Sequence, residues 1–302
     1  RVKNLAEHTD RLLFLTGTAL ENRVDEMISL ISILRPDIAS QLHGMASLSS
    51  APQFREAIAP VYYRRKQEDV LRELPEKTES EEWCTLSAEE ETIYEQAVLA
   101  KQYNETRRVS WNVEDLRTSS KAKRMLELID EATAENRKII VFSFFLDTIR
   151  KVSMLLGSRC TEPINGSVSP HRRQEILDNF ERAPAGTVLL AQIQAGGTGL
   201  NIQAASVVIL CEPQLKPSIE NQAIARAYRM NQTRNVLVYR LLCKDTVDEK
   251  ITNLLAEKQK AFDAFADKSV AAAKENLEVD SKTFGNLIQE EIDRINAKKN
   301  HQ

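Results

Sequence analysis

VLLAQIQAGGTGLNIQAASVVILCEPQLKPSIENQAIARAYRMNQ, from Val188 to Gln232, joins an apolar run to a glycine loop and then to a segment bearing two arginines. The apolar run Val188 to Ala191 leads into Gly196, Gly197 and Gly199. Glycines just after a strand accept positive φ and let the backbone approach a phosphate closely. Gln222, Arg226 and Arg229 stand at i, i+4 and i+7, so a helix would present all three from one face. Two planar, permanently charged guanidinium groups suit the charge that develops on a transferred phosphoryl group. The pattern implies nucleotide hydrolysis, with these residues forming one half of the site. Taken singly, QxxxRxxR is usually a solvated helix face and GGxGLN a simple turn; their order and spacing carry the reading.

Outward from this stretch, strand and helix patterns alternate. Strands are expected at 138–143, 160–164, 187–191, 206–211 and 235–242. One helix ends at Gly157, a natural C-cap, and the next begins at Ser169-Pro170, an N-cap followed by proline at the first helical position. The alternation implies a mostly parallel sheet between two helical layers. Upstream, Leu12 to Leu15 reads as a short strand, and Met27, Ile28, Leu30, Ile31 and Leu34 as a helical face stopped by Pro36. Residues 37–53 read as a loop or weak helix, and a helix is expected from Ser87, with Glu90 at the capping-box position. Downstream, Ile251, Leu254, Leu255, Phe262 and Phe265 form an apolar helical face, and a second helix is expected after Ser281.

Composition narrows the class. The 302 residues are 42% hydrophobic and 28% charged, ordinary for a folded chain with room for about two domains. A net charge of −3 supplies no global basic field, so any nucleic-acid contact must come from local patches. Cys84, Cys160, Cys211 and Cys243 lack CxxC spacing, which points to reduced thiols and away from structural zinc; no metal ligand set is expected. The run from Ile139 to Leu146 is too short to cross a bilayer. An intracellular protein, cytoplasmic or nuclear, is expected.

Five ordered segments resemble the Swi/Snf-type family of superfamily-two helicase-like DNA translocases. LFLTGTALENRVDEMISLISILRP (Leu13 to Pro36) resembles the family's LTGTP segment, and YYRRKQEDVLRELPEKTE (Tyr62 to Glu79) its LRRxKxDVxxxLPxKxE stretch. SSKAKRMLELIDE (Ser119 to Glu131) resembles the opening of the second lobe, and KIIVFSFF (Lys138 to Phe145) its first strand. ARAYRMNQTRNVLVYRLL (Ala225 to Leu242) resembles RAHRIGQ followed by a strand. The resemblance implies an α/β fold: a RecA-like three-layer domain flanked by helical segments at both ends. Residues 1–117 are expected to be the end of the first motor lobe with helical protrusion and linker, 118–250 the second RecA-like lobe, and 251–302 a helical brace.

The resemblance further implies ATP with Mg²⁺ as cofactor. Arg226 and Arg229 would be catalytic, and Gly196, Gly197, Gly199 and Gln222 would bind ATP. Double-stranded DNA is the implied partner, held by its backbone through Ser143, Asn165, Gly166, Ser167, Gln192 and Gln194. Asn165-Gly166 reads equally as a plain turn. Arg64, Arg65 and Lys66 serve either an interlobe contact or a solvated surface. Neither the family's GxGKT loop nor its DEAH box occurs in the sequence, and the first residue is Arg1, so a piece of a longer protein, inactive alone, is expected. The first motor lobe of the same protein would then be a partner. The alternatives are a strand-separating helicase, an RNA-polymerase-remodelling ATPase, or a non-catalytic interaction module. Some positions depart from the family: Asn165 stands for Asp, Glu212 falls near the usual Asp, Leu215-Lys216 replaces Trp-Asn, Tyr228 replaces His, and Asn231 replaces Gly.

Overall fold

The structure, a computed structural model, describes residues 6, 8–9, 11–15, 24–42, 56–62, 75–196, 200–266 and 278–300. Gly197, Gly199 and the basic cluster Arg64, Arg65 and Lys66 lie outside the described residues. The chain divides into two compact units: Arg1–Val70 with Leu254–Glu278, and Leu71–Asn253 with Val279–Gln302.

In the first unit, α1 (Val24–Leu34) and α2 (Pro36–Leu42) are separated only by Arg35. Proline lacks the N–H that a continuing helix requires, so Pro36 ends α1, yet it is well placed to open α2 at its first position. The weak helix or loop expected after Pro36 is thus a helix as far as Leu42. Met27, Ile28, Ile31, Ile38, Ala39, Leu42 and Ile58 form the core of this unit.

The second unit holds the sheet. Its elements run β1 (Lys77–Cys84), α3 (Ala88–Leu99), α4 (Tyr103–Arg107), α5 (Ser120–Ala134), β2 (Ile139–Ser143), α6 (Leu146–Leu156), α7 (Pro170–Arg182), β3 (Val188–Gln192), α8 (Ile193–Gly196), β4 (Val207–Leu210), α9 (Pro217–Ala227), β5 (Val236–Cys243), α10 (Val247–Ala266, of which only the part up to Asn253 belongs to this unit) and α11 (Ser281–Asn300). The strands order as β1-β5-β4-β2-β3, every pair parallel. Alternation along the strands sorts side chains into two cores. Ile139, Val141, Val188, Leu190, Val207 and Ile209 pack with Met125, Leu128 and Ile129 of α5 and Ile149 and Val152 of α6. Ile140, Phe142, Leu189, Ala191, Val208 and Leu210 pack with Ile176 and Phe180 of α7 and Ala223 and Ile224 of α9. Two helical layers thus enclose a sheet buried on both faces, as parallel sheets require. This is the expected RecA-like arrangement.

Four of the five expected strands form within a residue or so of their expected places. The fifth, at 160–164, makes only isolated parallel bridges, Cys160 with Val188 and Ile164 with Ala191. Proline at 163 leaves it one N–H short of a full ladder. Strand β1, KTESEEWC, was not expected, because its composition is that of a charged loop. It lies at the sheet edge, paired with β5 on one side alone, where solvated carboxylates are tolerated. Glu79 pairs with Arg240 and Glu82 with Arg124, which anchors the strand through its charges. β1 brings residues from position 77 into the sheet, and α11 returns to the same unit.

Caps follow the sequence closely. Ser87 and Glu90 form a reciprocal capping box at α3. Ser119 caps α5 and Ser169 caps α7, each cap being worth about 1 kcal/mol. Gly157 ends α6 at φ 55°, a conformation that favours glycine.

Candidate functional site

Parallel α/β sheets place their sites at the carboxyl ends of the strands, where the winding direction reverses. Here the chain leaves β2 outward to β3, then crosses back to β4 on the other side, so the reversal lies between β2 and β4. The carboxyl ends of those strands meet at Glu212, which is 1% exposed. Its carboxylate accepts the Phe144 N–H at 2.6 Å and the Ser143 hydroxyl at 3.0 and 3.2 Å. Burial raises the Glu212 carboxyl above its usual range, opposed by the Phe144 N–H, Arg107 and Lys121.

Two buried cations neighbour this carboxylate. Arg107, at the end of α4, donates to the Pro213 carbonyl at 2.9 Å, with its guanidinium 5.5 and 5.3 Å from the rings of Phe144 and Phe145. Lys121 pairs with Asp248 at 2.7 Å, and both side chains are almost wholly buried. Burial would lower the Lys121 ammonium, but Asp248, together with Cys243 and Glu212, holds it above its ordinary value. Asp248 also accepts the Cys243 N–H at 3.0 Å, fixing the end of β5. None of Arg107, Glu212 or Asp248 was singled out from sequence for this role. The only signal was ionisable residues beside apolar runs.

Of the residues expected to hold DNA, Ser143 is turned inward, 1% exposed and bonded to Glu212, so it shapes the loop instead of presenting its hydroxyl. Asn165 accepts from the Ser167 N–H at 2.9 Å and the Ser167 hydroxyl at 2.6 Å, leaving Gly166 and Ser167 exposed at the turn. Gln192 donates to the Phe144 carbonyl at 3.3 Å, and its N–H donates to the Ile164 carbonyl at 2.8 Å. The loops after β2, after residue 164 and after β3 therefore converge on one edge. Gln194 is exposed in α8. Sequence reasoning missed Arg173 of α7, which donates to the carbonyls of Asn165, Gly166 and Val168 at 3.1, 3.3 and 2.8 Å and so sets the shape of this turn.

The arginine segment differs from expectation in one respect. Helix α9 ends at Ala227, and Tyr228 leaves it at φ −93°, ψ 86°. Gln222 and Arg226 lie on α9, exposed and half-buried respectively, but Arg229 lies in the bend beyond it, so the three do not share one helix face. The cause is Gln232, whose amide donates to the carbonyls of Ala227 at 3.0 Å, Ala205 at 3.0 Å and Gln203 at 3.1 Å. Those bonds satisfy a carbonyl at the helix end and tie the returning chain to the segment before β4, so the helix cannot continue. The short helix α8, ending at Gly196, packs against α9. The described start of the glycine loop and the arginine helix are thus neighbours.

Two family descriptions match the chain: SNF2-related domain over residues 2–139 and Helicase conserved C-terminal domain over residues 120–231. The chain belongs to the Swi/Snf-type family. Among curated relatives, a putative ATP-dependent helicase/translocase YwqA of Bacillus subtilis is 29% identical over 289 residues, covering 81% of this chain and 31% of the relative. An uncharacterized ATP-dependent helicase of Mycoplasma pneumoniae is 30% identical, covering 82% of this chain and 27% of that protein. The chain thus spans under a third of the length of these relatives. Among solved structures, the Sulfolobus solfataricus SWI2/SNF2 ATPase core in complex with dsDNA is 25% identical with a TM-score of 0.55, covering 92% of this chain and 65% of that one. The C-terminal part of the Fun30 ATPase domain, 17% identical with a TM-score of 0.58, shares the fold.

The Swi/Snf-type family implies a nucleotide and Mg²⁺. Arg226 and Arg229 offer forked donors of the kind that fit phosphate oxygens. No group of three or more His, Cys, Asp or Glu that could hold a metal ion occurs among the described residues.

Proposed function

We propose that this chain is the C-terminal motor half of an ATP-dependent double-stranded DNA translocase. Arg226 and Arg229 act as arginine fingers toward the γ-phosphate, and Gly196, Gly197, Gly199 and Gln222 bind ATP. The loops carrying Asn165, Gly166, Ser167, Gln192 and Gln194 hold the DNA backbone without reading sequence, as translocation requires. The first motor lobe supplies the lysine loop and the Mg²⁺ carboxylates that this sequence lacks. ATP contributes the γ-phosphoryl group whose developing charge the guanidinium groups neutralise.

The observation that carries the reading is the packing of α8, which leads into the glycine loop, against α9, which carries Gln222 and Arg226. The same α8 follows directly on β3, whose end bonds the loop after β2. In this reading phosphate chemistry and backbone holding share one edge of one sheet. In a protein containing both motor halves, Arg226→Ala and Arg229→Ala should each lower kcat for DNA-stimulated ATP hydrolysis by on the order of 10³, an arginine-finger magnitude. Arg→Lys should not rescue, since lysine keeps the charge but loses the planar fork. Both alanine variants retaining wild-type rates, with unchanged thermal melts, would sink the assignment.

A further inference from the structure

An unbroken chain of buried hydrogen bonds runs from the loop after β2 to the base of the arginine helix. The Phe144 N–H donates to the Glu212 carboxylate at 2.6 Å. The Gln214 amide donates to that carboxylate at 3.2 Å and to the Glu212 carbonyl at 3.1 Å. The Gln214 backbone N–H donates to the Glu220 carboxylate at 3.0 Å. The other Glu220 oxygen accepts from Arg240 Nε at 2.7 Å, and Arg240 reaches on to Glu79 in β1. Glu212, Gln214 and Glu220 are 1, 2 and 8% exposed. Glu220 stands in the first turn of α9, the helix that carries Arg226.

Two carboxylates and an amide are a costly way to fill this space. Apolar side chains of similar volume would hold the same elements together with less desolvation. A hydrogen-bonded chain does what apolar packing cannot: it fixes separations and directions bond by bond, so displacement at one end is felt at the other. Here one end is the backbone of the loop that Gln192 also bonds, and the other is the start of α9. Glu212 grips a backbone N–H, so any movement of the Phe144 peptide pulls on it directly.

We propose that Glu212, Gln214 and Glu220 are positioning residues that transmit the state of the Ser143–Phe145 loop to the orientation of α9, so that DNA held at this edge sets the reach of Arg226. The inference rests on the assignment of this edge to the DNA backbone. It assigns the coupling to three side chains buried between that loop and α9.

The test uses the 302-residue chain itself and needs no ATPase activity. Amide hydrogen exchange of Ala223 to Ala227 is followed with and without a saturating short DNA duplex of random sequence at low salt, in wild type, Gln214→Met and Glu220→Gln. Gln214→Met keeps side-chain length but removes the amide bridge to Glu212; Glu220→Gln keeps the shape but replaces a charged acceptor by a neutral one, weakening the bonds from both the Gln214 N–H and Arg240. The wild type should show exchange at α9 slowed by DNA by a factor of roughly 2 to 30, the range of mutable coupling energies, and both variants should lose that slowing at equal DNA occupancy. Equal slowing in the variants overturns the coupling. DNA that binds the wild type without changing α9 exchange also overturns it and leaves the DNA assignment standing. DNA that fails to bind the wild type removes the DNA assignment and the coupling with it. Thermal melts keep a folding defect in one variant from being read as loss of coupling, and the other variant then decides.

Discussion

Replacing Gln232 with leucine should destabilise the second unit by about 2–3 kcal/mol, because two N–H donors and one acceptor disappear from a buried junction. The amide of Gln232 is shared among the carbonyls of Gln203, Ala205 and Ala227, at 3.0 to 3.1 Å. Its oxygen accepts the Arg234 N–H at 3.1 Å. Two donors amount to two full bonds, each worth about 1 kcal/mol net when buried. The Arg234 bond is nearer solvent and adds a few tenths of that. Leucine fills the volume, so the loss is one of hydrogen bonding and not of a cavity. Urea unfolding should show the midpoint falling with unchanged slope. The same change frees the bend that holds Arg229, so DNA-stimulated ATPase activity in a protein with both motor halves should fall at temperatures where the variant is still folded. A stability change under about 0.5 kcal/mol, the size of a neutral surface substitution, would refute the junction's role.

Other outcomes are open to direct measurement. The 302-residue chain alone should show no ATP hydrolysis and only weak nucleotide binding; calorimetry giving tight, Mg²⁺-dependent ATP binding would contradict the division of the site. Lys121→Met strands Asp248 as a buried charge and should cost about 3–5 kcal/mol in urea melts, whereas removing both charges together should cost less. Burial would raise the Glu90 carboxyl, but the Ser87 N–H, the Ser110 hydroxyl and the N–H and hydroxyl of Ser120 hold it below its ordinary 4.5. A folded pKa below the unfolded one gives stability that is present above pH 4.5 and lost as pH falls below it. Acid unfolding curves should therefore converge for wild type and Glu90→Gln as pH drops, and separate at neutral pH.

Legibility tracked burial. Strands β2 to β4, and less completely β5, were readable because they are buried on both faces and so read as apolar runs, while Gly157 and Ser169 mark helix ends with residue types that have few other uses. Strand β1 was invisible for the opposite reason. KTESEEWC has a strand's position but a loop's composition, since its partners are the charges of Arg240 and Arg124, far away in sequence. The candidate site was half legible. Gly196, Gln222, Arg226 and the Asn165 turn have a distinctive local pattern and can be named from sequence, whereas the buried bonds of Arg107, Arg173, Glu212 and Gln232 depend on partners brought together in three dimensions and cannot. Arg229 shows the limit of periodicity: i+7 predicts a shared face only while the helix lasts, and a side chain three residues further on ends it.

The departures from the family pattern become intelligible once geometry is attached to them. Asn231 occupies the place of a glycine and adopts φ 70°, the left-handed region that asparagine tolerates better than other residues with a Cβ. The turn into Gln232 thus survives at modest cost. Asn165 in place of aspartate still offers the oxygen that accepts from Ser167, so the turn is kept while a negative charge is removed from the edge proposed to hold phosphates. Glu212, one methylene longer than the usual aspartate, reaches across the β2–β4 gap to the Phe144 N–H and turns back to the Gln214 amide. The extra length lets one carboxylate serve both neighbours, and it is this double engagement that joins the loop after β2 to the helix carrying Arg226.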